Sequence, residues 1–438
     1  MKKVQYIAAG KFKTYKSAIE YLFGLERAGI KYDLTNISKL LKTAGNPHLN
    51  FKSIHIAGTN GKGSVSSILN SALIESGIKT GLYTSPHITD FRERILVNGK
   101  FISKKFITDF VNEMYSHIEK IKPSFFEVTT ALAFAYFSKM KTEYAVIETG
   151  LGGRLDSTNI ITPVVSVITG ISIDHTDYLG KSISSITAEK GGIIKKDIPA
   201  VAGKLTNVSK RILSRIASEK NSSITFSDFN NLIRITRRKE NGFYFTIEKN
   251  PAEYFFPVTG DYQSININTA IYCLKILKDN KGPDVGMRIF KKSLFRLVKN
   301  SHYRGRFELI SKNPKVIIDI SHNLQGIENI ENNLKYFKFN KAVIIFGMMN
   351  NKNYTGCINE LKRLKHPVIF TKPDYKRAAE PETLFSITKK DSVKFALRKN
   401  VKEAFELASS MTRKNDLILV TGSFFLVSDF LRFFNQLK

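Results

Sequence analysis

The sequence predicts an α/β protein of two domains, in which a larger domain built on a parallel sheet precedes a smaller α/β domain. Three observations support this fold class. The chain has 438 residues, which is more than one ordinary domain contains. Short apolar runs alternate with longer amphipathic ones, as in parallel strands joined by crossover helices. The alternation starts again near residue 300, so we place the domains at residues 1–299 and 300–438.

The apolar runs of the first domain predict buried strands, and the amphipathic runs between them predict helices. The strands are expected at residues 53–58, 80–85, 144–149, 164–170 and 198–203, and the helices at residues 62–77, 106–121 and 127–140. Polar and apolar residues then alternate between about residue 221 and residue 257. This period predicts an antiparallel hairpin appended to the parallel sheet, with Asn241-Gly242 as its turn.

The second domain repeats the pattern in a shorter form. Its strands are expected at residues 316–320, 342–347, 367–370 and 417–422, with helices between them. We find neither an internal repeat nor a low-complexity tract in the sequence.

The chain carries a large positive charge. Its 68 Lys and Arg residues outnumber 38 Asp and Glu residues, which gives a formal net charge of +30. Such an excess favours anionic partners, including nucleic acid and phosphorylated or polycarboxylic substrates. Only 18 of the 68 cations are arginine, however, and a built phosphate or nucleic-acid groove favours arginine. We therefore expect most of the charge to be solvated surface lysine.

Composition also narrows the cellular location. The two cysteines, Cys273 and Cys357, exclude a disulfide framework and a cysteine-based zinc site. The N-terminus is basic, but Lys11 and Lys13 interrupt it before an apolar stretch of signal-peptide length. No apolar run reaches the length that spans a bilayer, roughly 18–20 residues. We expect a cytoplasmic protein that does not bind a membrane.

A glycine-rich segment between the first strand and the following helix predicts an anion site. The segment GTNGKGS comprises Gly58, Thr59, Asn60, Gly61, Lys62, Gly63 and Ser64. Backbone amides at a helix N-terminus bind phosphate, Lys62 would meet the β- and γ-phosphates, and the Ser64 hydroxyl suits Mg²⁺. The general P-loop pattern is not met, because Ile56 stands at its first glycine and Gly63 separates Lys62 from Ser64. Nucleotide binding is the prediction.

Polar residues at other strand ends are candidate metal ligands. Glu148 ends a buried strand, and Asp174, His175 and Asp177 follow the next strand. The carboxyl ends of parallel strands meet at one edge of a sheet, which is where ligands of such proteins bind. By pattern alone, Lys190 is a solvated helical lysine, and Ser85 and His87 belong to a turn.

Ten segments in a fixed order resemble the folate-conjugating branch of the Mur ligase superfamily, the dihydrofolate and folylpolyglutamate synthases. They extend from about Gly45 to Phe425 and are GTNGKGS, YTSPHITDFRERILVNGK, FFEVTTALAF, VIETGLGGRLDSTNI, SIDHTDYLG, EKGGIIK, GDYQSININTA, GRFELI, IIDISHN and TGSFF. The resemblance implies a Mur-ligase-like first domain with a P-loop-type parallel sheet, and a smaller Rossmann-like second domain.

The same resemblance implies roles for individual residues. It implies one Mg²⁺ site at Ser85 and Glu148, with Ser64 near the metal, and a second at Glu148 and His175. It implies that Lys190 is carbamylated and helps to position metal, so that Lys62, Lys190 and His175 are the catalytic residues. Further implied contacts are Asn266, Arg306, Asp319 and His322 to the nucleotide, and Phe126 and Asp156 to the pterin of the substrate.

The sequence departs from the family pattern in the second domain. Ile320 and Ser321 replace a usual Gly-Ala pair, Leu324 replaces a proline, and Asn353 stands where an acidic residue is usual. The proline that usually precedes Gly305 is also absent. These departures affect the contacts of the second domain rather than the chemistry of the first.

The activity implied by the resemblance is ATP-dependent ligation of L-glutamate to dihydropteroate, to reduced folates, or to both, with Mg²⁺ at two sites. A monofunctional synthase of either kind stays open. A cell-wall Mur ligase is a further alternative, against which we count the lack of an additional UDP-binding domain before Gly58. A basic nucleic-acid-binding NTPase is the alternative from another class. We expect a monomer without a nucleic-acid partner.

Overall fold

The structure, a computed structural model, describes residues 11–25, 33–228, 231–248, 250–388 and 394–436. The basic start of the chain at residues 1–10 lies outside this part. A mainly parallel sheet of eight strands organises the first domain. Its strands are β1 Lys52–Ala57, β2 Thr80–Tyr83, β3 Ile95–Val97, β4 Lys100–Phe101, β5 Tyr144–Glu148, β6 Val165–Ile168, β7 Ala200–Ala202 and β8 Ile224–Phe226. The five strands expected from the sequence are all present.

The order of strands places β1 at the centre of the parallel part. The order is β4-β3-β2-β5-β1-β6-β7-β8, and only the β2–β3 and β3–β4 pairs are antiparallel. Side chains on a strand alternate between the two faces of a sheet. Accordingly, Val146 of β5 packs in one apolar cluster, whereas Ala145 and Ile147 pack in another on the opposite face. Both faces are covered, which explains why β5 is apolar from Tyr144 to Ile147 and why the one polar residue of β6, Ser166, is fully buried.

Helices cover both faces of this sheet. They are α1 Tyr15–Gly24, α2 Thr35–Thr43, α3 Lys62–Glu75, α4 Lys104–Ile121, α5 Phe125–Lys139, α6 Thr176–Leu179, α7 Ile183–Gly191, α8 Asn207–Glu219, α9 Gln263–Asp279, α10 Met287–Phe295 and α11 Leu297–Ser301. Helix α3 ends just before Gly77, whose φ of 86° is one that glycine adopts readily. Helix α5 begins with a capping box in which Ser124 and Glu127 bond each other's backbone amides.

The polar and apolar alternation forms an antiparallel hairpin as expected, but the hairpin belongs to a separate sheet, so its expected attachment to the parallel sheet is wrong. Strands β9 Ile233–Lys239, β10 Gly242–Ile247 and β11 Asn250–Phe256 form a three-stranded antiparallel sheet of their own. The turn also lies one residue earlier than expected, because Gly242 already pairs with Lys239. Buried aromatic side chains, among them Phe243 and Phe256, pack this sheet against the first domain's core. The three-stranded sheet is therefore attached to the first domain by burial of its apolar face, and not by pairing with an edge strand of the larger sheet.

A six-stranded sheet forms the second domain. Its strands are β12 Glu308–Lys312, β13 Lys315–Ile318, β14 Ala342–Phe346, β15 Val368–Phe370, β16 Phe395–Leu397 and β17 Leu417–Thr421. Its helices are α12 Leu324–Glu328, α13 Ile330–Leu334, α14 Tyr354–Arg363, α15 Pro381–Ser386, α16 Val401–Met411 and α17 Phe424–Phe434. The order is β12-β13-β17-β14-β15-β16, and β12 is the antiparallel edge. The edge strands β12 and β16 are half-buried at most positions, so they lack the apolar signal of the four strands expected from the sequence.

The two domains share apolar packing. Tyr303 and Phe307, which follow α11, belong to the same buried cluster as Ile267 of α9 and Ile317 of β13. The eight-stranded and three-stranded sheets precede residue 300 and the six-stranded sheet follows it, as the two expected domains require. The domain boundary at residue 300 itself stays a prediction. None of the helices in the described ranges is long and apolar enough to cross a membrane.

Gly81 in β2 offers a test of how closely α5 packs on the sheet. A Cβ atom at Gly81 would lie 2.8 Å from the ring of Phe137, which is fully buried in α5. We expect Gly81→Ala to lower the free energy of unfolding by about 1–3 kcal/mol, because the ring has no space to move into. Urea unfolding followed by circular dichroism measures this change.

The matched control is Gly286→Ala. Gly286 has a φ of −61°, and a Cβ atom there would meet no atom within 4 Å. A Gly81 variant as stable as the Gly286 variant would contradict the close packing of α5 on β2.

Candidate active site

The glycine-rich segment forms a tight loop between β1 and α3. Gly58 and Gly61 have φ angles of 157° and 94°, and a side chain on Gly61 would collide with Asn266, whose Oδ1 lies 2.4 Å from the position of a Cβ atom. The Thr59 hydroxyl donates to the Ser172 carbonyl and accepts from the Ser172 amide, both at 3.1 Å. The loop after β6 therefore holds the loop after β1. Asn266, expected near the nucleotide, lies directly beside this loop.

Two lysine side chains meet at the carbonyl oxygen of Gly58. The Nζ atom of Lys62 lies 3.0 Å from this oxygen, and the Nζ atom of Lys190 lies 2.9 Å from it. Lys190 is only 4% exposed, so the solvated position that its pattern indicates is wrong. Burial and the nearby Lys62 ammonium lower the pKa of Lys190 to about 7. Two ammonium groups this close favour the binding of an anion between them.

Glu148 supplies a buried carboxylate beside the loop. It ends β5, the neighbour of β1, and its Oε1 lies 3.9 Å from Lys62 Nζ. Burial raises the pKa of the Glu148 carboxyl to about 7, while Lys62, Arg306 and the Ser85 amide limit the rise. Ser85, expected as a metal ligand with Glu148, is thus in hydrogen-bond contact with it through its backbone.

This arrangement fits a divalent cation. The Glu148 carboxylate is buried and its ion pair is long, so a cation would offset an unfavourable charge. Within the described ranges, no group of three or more His, Cys, Asp and Glu side chains is suited to hold a metal ion by itself. Mg²⁺ does not need such a group, because it binds through one or two carboxylates together with waters and substrate phosphates. The Ser64 hydroxyl currently shares a hydrogen bond of 2.5 Å with the Tyr303 hydroxyl.

A second cluster lies after β6 and joins the two domains. Lys352 of the second domain donates to Asp174 at 2.5 Å and lies 3.3 Å from His175 Nε2. His322 Nε2 lies 3.7 Å from the same carboxylate. Burial opposes the ionisation of Asp174, yet Lys352 and the two histidines hold its pKa below the usual value. Burial lowers the pKa of His175 to about 3, so the ring is neutral and able to ligate metal.

Residues of the second domain contact the glycine-rich loop of residues 58–64, called the phosphate loop below. The Asn60 side chain accepts from Asn323 at 3.1 Å and donates to Gln325 at 2.5 Å. The Arg306 guanidinium lies beside Gly63, where a Cβ atom would be 3.7 Å from Nη2 of Arg306 and 3.7 Å from Oε2 of Glu148. The second domain therefore brings a cation to the same point as the Glu148 carboxylate.

Asp319 and His322 are held by the backbone of the second domain. The buried Asp319 carboxylate accepts from the amides of Phe307 and Ser321, both at 3.2 Å, and so positions the segment that carries Arg306. His322 Nδ1 lies 3.1 Å from the Ile320 carbonyl. Asp319 thus acts on the site through Arg306, whereas His322 faces Asp174.

The two residues expected near a pterin contact the segment that directly follows Glu148. The Phe126 ring lies against Gly150, where a Cβ atom would be 2.3 Å from the ring, and 6.0 Å from the ring of Tyr83. Asp156 accepts from the Leu151 amide at 2.8 Å and from the Thr158 amide and hydroxyl. Burial raises the pKa of Asp156.

Several residues at this site were not assigned a role from the sequence. Tyr303 bonds Ser64 and also accepts from Gln263 at 3.3 Å, and Asn323, Gln325 and Lys352 bring the second domain onto the loop. Tyrosine, amide and lysine side chains in loops carry no pattern of their own. A signal was available for three of them, because Tyr303 lies just before GRFELI, Asn323 ends IIDISHN and Gln325 follows that motif.

Comparison with known proteins identifies both halves of the chain. Residues 56–274 match the Mur ligase middle domain, and residues 305–424 match the Mur ligase glutamate ligase domain. A dihydrofolate synthase/folylpolyglutamate synthase of Bacillus subtilis is 30% identical over 431 residues, which cover 95% of this chain and 98% of the relative. A folylpolyglutamate synthase of Lacticaseibacillus casei is 31% identical over 430 residues, covering 94% and 97%.

Solved structures agree with this assignment. Folylpolyglutamate synthase of Mycobacterium tuberculosis, complexed with ADP and AMPPCP, superposes with a TM-score of 0.85 at 28% identity, covering 96% of this chain and 98% of that one. Escherichia coli FolC, complexed with DHPP and ADP, has a TM-score of 0.84 at 26% identity, covering 98% and 99%. Because both domain models match and full-length relatives align over nearly the whole sequence, this chain belongs to the Mur ligase family, in its dihydrofolate synthase/folylpolyglutamate synthase branch.

Proposed function

We propose that this protein is an ATP-dependent, ADP-forming amide ligase that joins L-glutamate to dihydropteroate and to folates. The observation that carries the proposal is the phosphate loop itself, where Lys62 and Lys190 meet at Gly58 beside the buried Glu148 carboxylate. Relatives named for both synthase activities cover almost the full length of the chain. A synthase with only one of the two activities is the alternative.

The first half of the reaction activates a carboxylate. An oxygen of the pteroyl or folyl carboxylate attacks the γ-phosphorus of ATP, the bond to the β-γ bridging oxygen breaks, and ADP leaves. Lys62 and Arg306 would offset the charge of the transferring group from two directions. Mg²⁺ would supply further positive charge to the phosphates when bound at two sites, one held by Ser85 and Glu148 with Ser64 nearby, the other by Glu148 and His175.

The second half forms the amide. The free amine of L-glutamate attacks the carbonyl carbon of the acyl phosphate, a tetrahedral intermediate forms, and phosphate leaves. No nucleophilic side chain takes part, so the protein acts by holding the partners and excluding water. Contacts of Asn323, Gln325 and Lys352 with the loops of the first domain support closure around the reactants.

The remaining site residues bind substrates in this proposal. Asn266, Arg306, Asp319 and His322 serve the nucleotide side, and Phe126 and Asp156 serve the pterin. We further propose that the activity is cytoplasmic, that the protein is a monomer, and that nucleic acid is not a partner. The folate branch assignment weighs against a cell-wall Mur ligase.

A pair of assays tests the function directly. We expect ADP release with dihydropteroate plus L-glutamate, and separately with a reduced folate plus L-glutamate, and mass spectrometry should show the added glutamyl group. ADP release without L-glutamate is the control for uncoupled hydrolysis. Inactivity with both substrates would contradict the proposal, and activity with one alone would establish a monofunctional synthase.

The metal requirement should depend on pH through Glu148. As the pH falls from 8 to 6, this carboxyl takes up a proton near pH 7, and the protonated form binds Mg²⁺ poorly. We expect the Mg²⁺ concentration for half-maximal activity to rise several-fold over this range, roughly tenfold for each pH unit below the pKa.

Glu148→Gln should raise the Mg²⁺ requirement and remove its dependence on pH. Glu143→Gln is the matched control, since Glu143 is exposed and directly precedes the same strand. An unchanged pH dependence in Glu148→Gln would contradict the assignment of Glu148 to the metal.

Lys190 should be needed for turnover but not for nucleotide binding. Its lowered pKa leaves a large neutral fraction near pH 7, and a neutral amine can attack CO₂ and lose a proton to give a carbamate. We expect Lys190→Ala to reduce kcat by roughly 100-fold or more, the range for loss of an electrostatic group at the reacting atoms. The affinity for ADP, measured by calorimetry, should stay within about threefold.

The exposed neighbour Lys196 provides the control variant, Lys196→Ala. Depleting dissolved CO₂ should lower the wild-type rate and bicarbonate should restore it. Full turnover of Lys190→Ala would show that the carbamate has no role in this protein.

A further inference from the structure

A chain of three buried side chains lies behind the proposed pterin site. The Nε2 atom of His55, in the middle of β1, is 2.8 Å from the Thr158 hydroxyl oxygen. That hydroxyl lies 2.5 Å from Oδ1 of Asp156. His55 and Thr158 are 0% exposed and Asp156 is 6% exposed. None of the reaction steps uses His55 or Thr158, although they contact a proposed substrate-binding residue.

The direction of the protons in this chain follows from hydrogen-bond accounting. The Thr158 hydroxyl has one proton and two neighbours, and an ionised Asp156 only accepts. The Thr158 proton therefore points to Asp156, and His55 must donate from Nε2 to the Thr158 oxygen. The neutral His55 ring then has a bare Nδ1. That atom is indeed buried without a hydrogen-bond partner in the described part of the chain.

The opposite direction is less favourable. If Asp156 were protonated and donated to Thr158, the Thr158 hydroxyl would donate to His55 Nε2. His55 would then carry its proton on Nδ1, where a buried N–H donor would have no partner. Orphaned buried N–H donors are rarer than unpaired acceptors.

The surroundings of Asp156 and His55 also favour the arrangement in which His55 donates to Thr158 and Thr158 donates to Asp156. The amides of Leu151 and Thr158 donate to Asp156, as they would to a carboxylate. On the other side, burial and the charge of Lys195 lower the pKa of His55 to about 3, which keeps the ring neutral. The Lys195 ammonium itself donates to the Asn159 carbonyl at 2.7 Å and remains near the chain.

We infer that His55 and Thr158 are positioning residues that keep Asp156 a hydrogen-bond acceptor, and that this selects a heterocycle with N–H donors at the pterin site. A 2-amino-4-oxopteridine has such donors in its amino group and ring N–H. The selection of the ring rests on the proposed function, whereas the proton arrangement rests on the structure alone. A protonated Asp156 would instead offer a donor and disfavour this ring.

The first test reads the proton arrangement without any substrate. In protein labelled with ¹⁵N-histidine, long-range ¹H–¹⁵N spectra distinguish the two neutral ring forms. We expect His55 to be protonated on Nε2 at pH 6 and at pH 8, and its signals to shift in Thr158→Val. A ring protonated on Nδ1 would overturn the inference, whether or not the protein is a folate enzyme.

The second test separates positioning from general damage. Thr158→Val keeps the shape and the backbone amide but removes the hydroxyl, whereas Thr158→Ser retains it. We expect Thr158→Val to raise KM for dihydropteroate roughly tenfold, the usual effect of losing a hydrogen bond to a charged group. KM for ATP should stay within about twofold, and Thr158→Ser should resemble the wild type.

Variants of His55 complete the set. His55→Gln can supply an N–H at a similar distance from the main chain, and we expect it to restore most of the dihydropteroate affinity that His55→Leu loses. Equal changes of both KM values, or an unchanged KM for dihydropteroate in Thr158→Val, would overturn the positioning role. Inactivity of the wild type with both folate substrates would instead reject the proposed function, and the spectra would still decide the proton arrangement.

Discussion

The candidate site depends on the convergence of two lysine ammonium groups on one backbone carbonyl, that of Gly58. Lys62 comes from the helix that follows the phosphate loop, and Lys190 from a helix about 130 residues later in the chain. Two like charges this close raise each other's free energy, and burial together with the Lys62 charge lowers the pKa of Lys190. Such a pair is stable beside a polyanion or when one amine is neutral. The first condition accounts for the phosphate binding that we propose at this loop, and the second for the chemistry proposed at Lys190.

The sheet topology explains why the other groups reach this point. Strands β2, β5, β1 and β6 are neighbours, and Ser85, Glu148, the phosphate loop and Asp174 follow their carboxyl ends in that order. Neighbouring parallel strands bring their ends within a few ångströms of each other, so residues far apart in the sequence share one edge. The second domain then approaches the same edge, with Arg306 beside Gly63 and Lys352 on Asp174.

The sequence was sufficient to predict the phosphate loop and most of the parallel strands, because both carry strong local signals. An uninterrupted apolar run of strand length predicts a buried strand, and GTNGKGS predicts a strand-to-helix turn. The sequence misplaced Lys190, since a buried lysine has the same pattern as a solvated one until the packing around it is known. It also missed β3, β4, β8, β12 and β16, which are short or half-buried, and the contacts of Tyr303 and Gln325. The contacts of these two residues depend on how the two domains pack together, and the residue pattern within one segment does not contain that information.

The distribution of these contacts along the chain has a consequence for synthesis on the ribosome. The phosphate loop is complete by residue 64, but the groups that contact it come from residues near 148, 172, 190, 266, 303 and 323. Contacts of such long sequence separation form late, because much chain must first be ordered. A nascent chain therefore carries the loop long before it carries the residues that surround it. The proposed binding site is completed only when most of the polypeptide has been made, so a partly synthesised chain lacks residues with which the site would act on nucleotide.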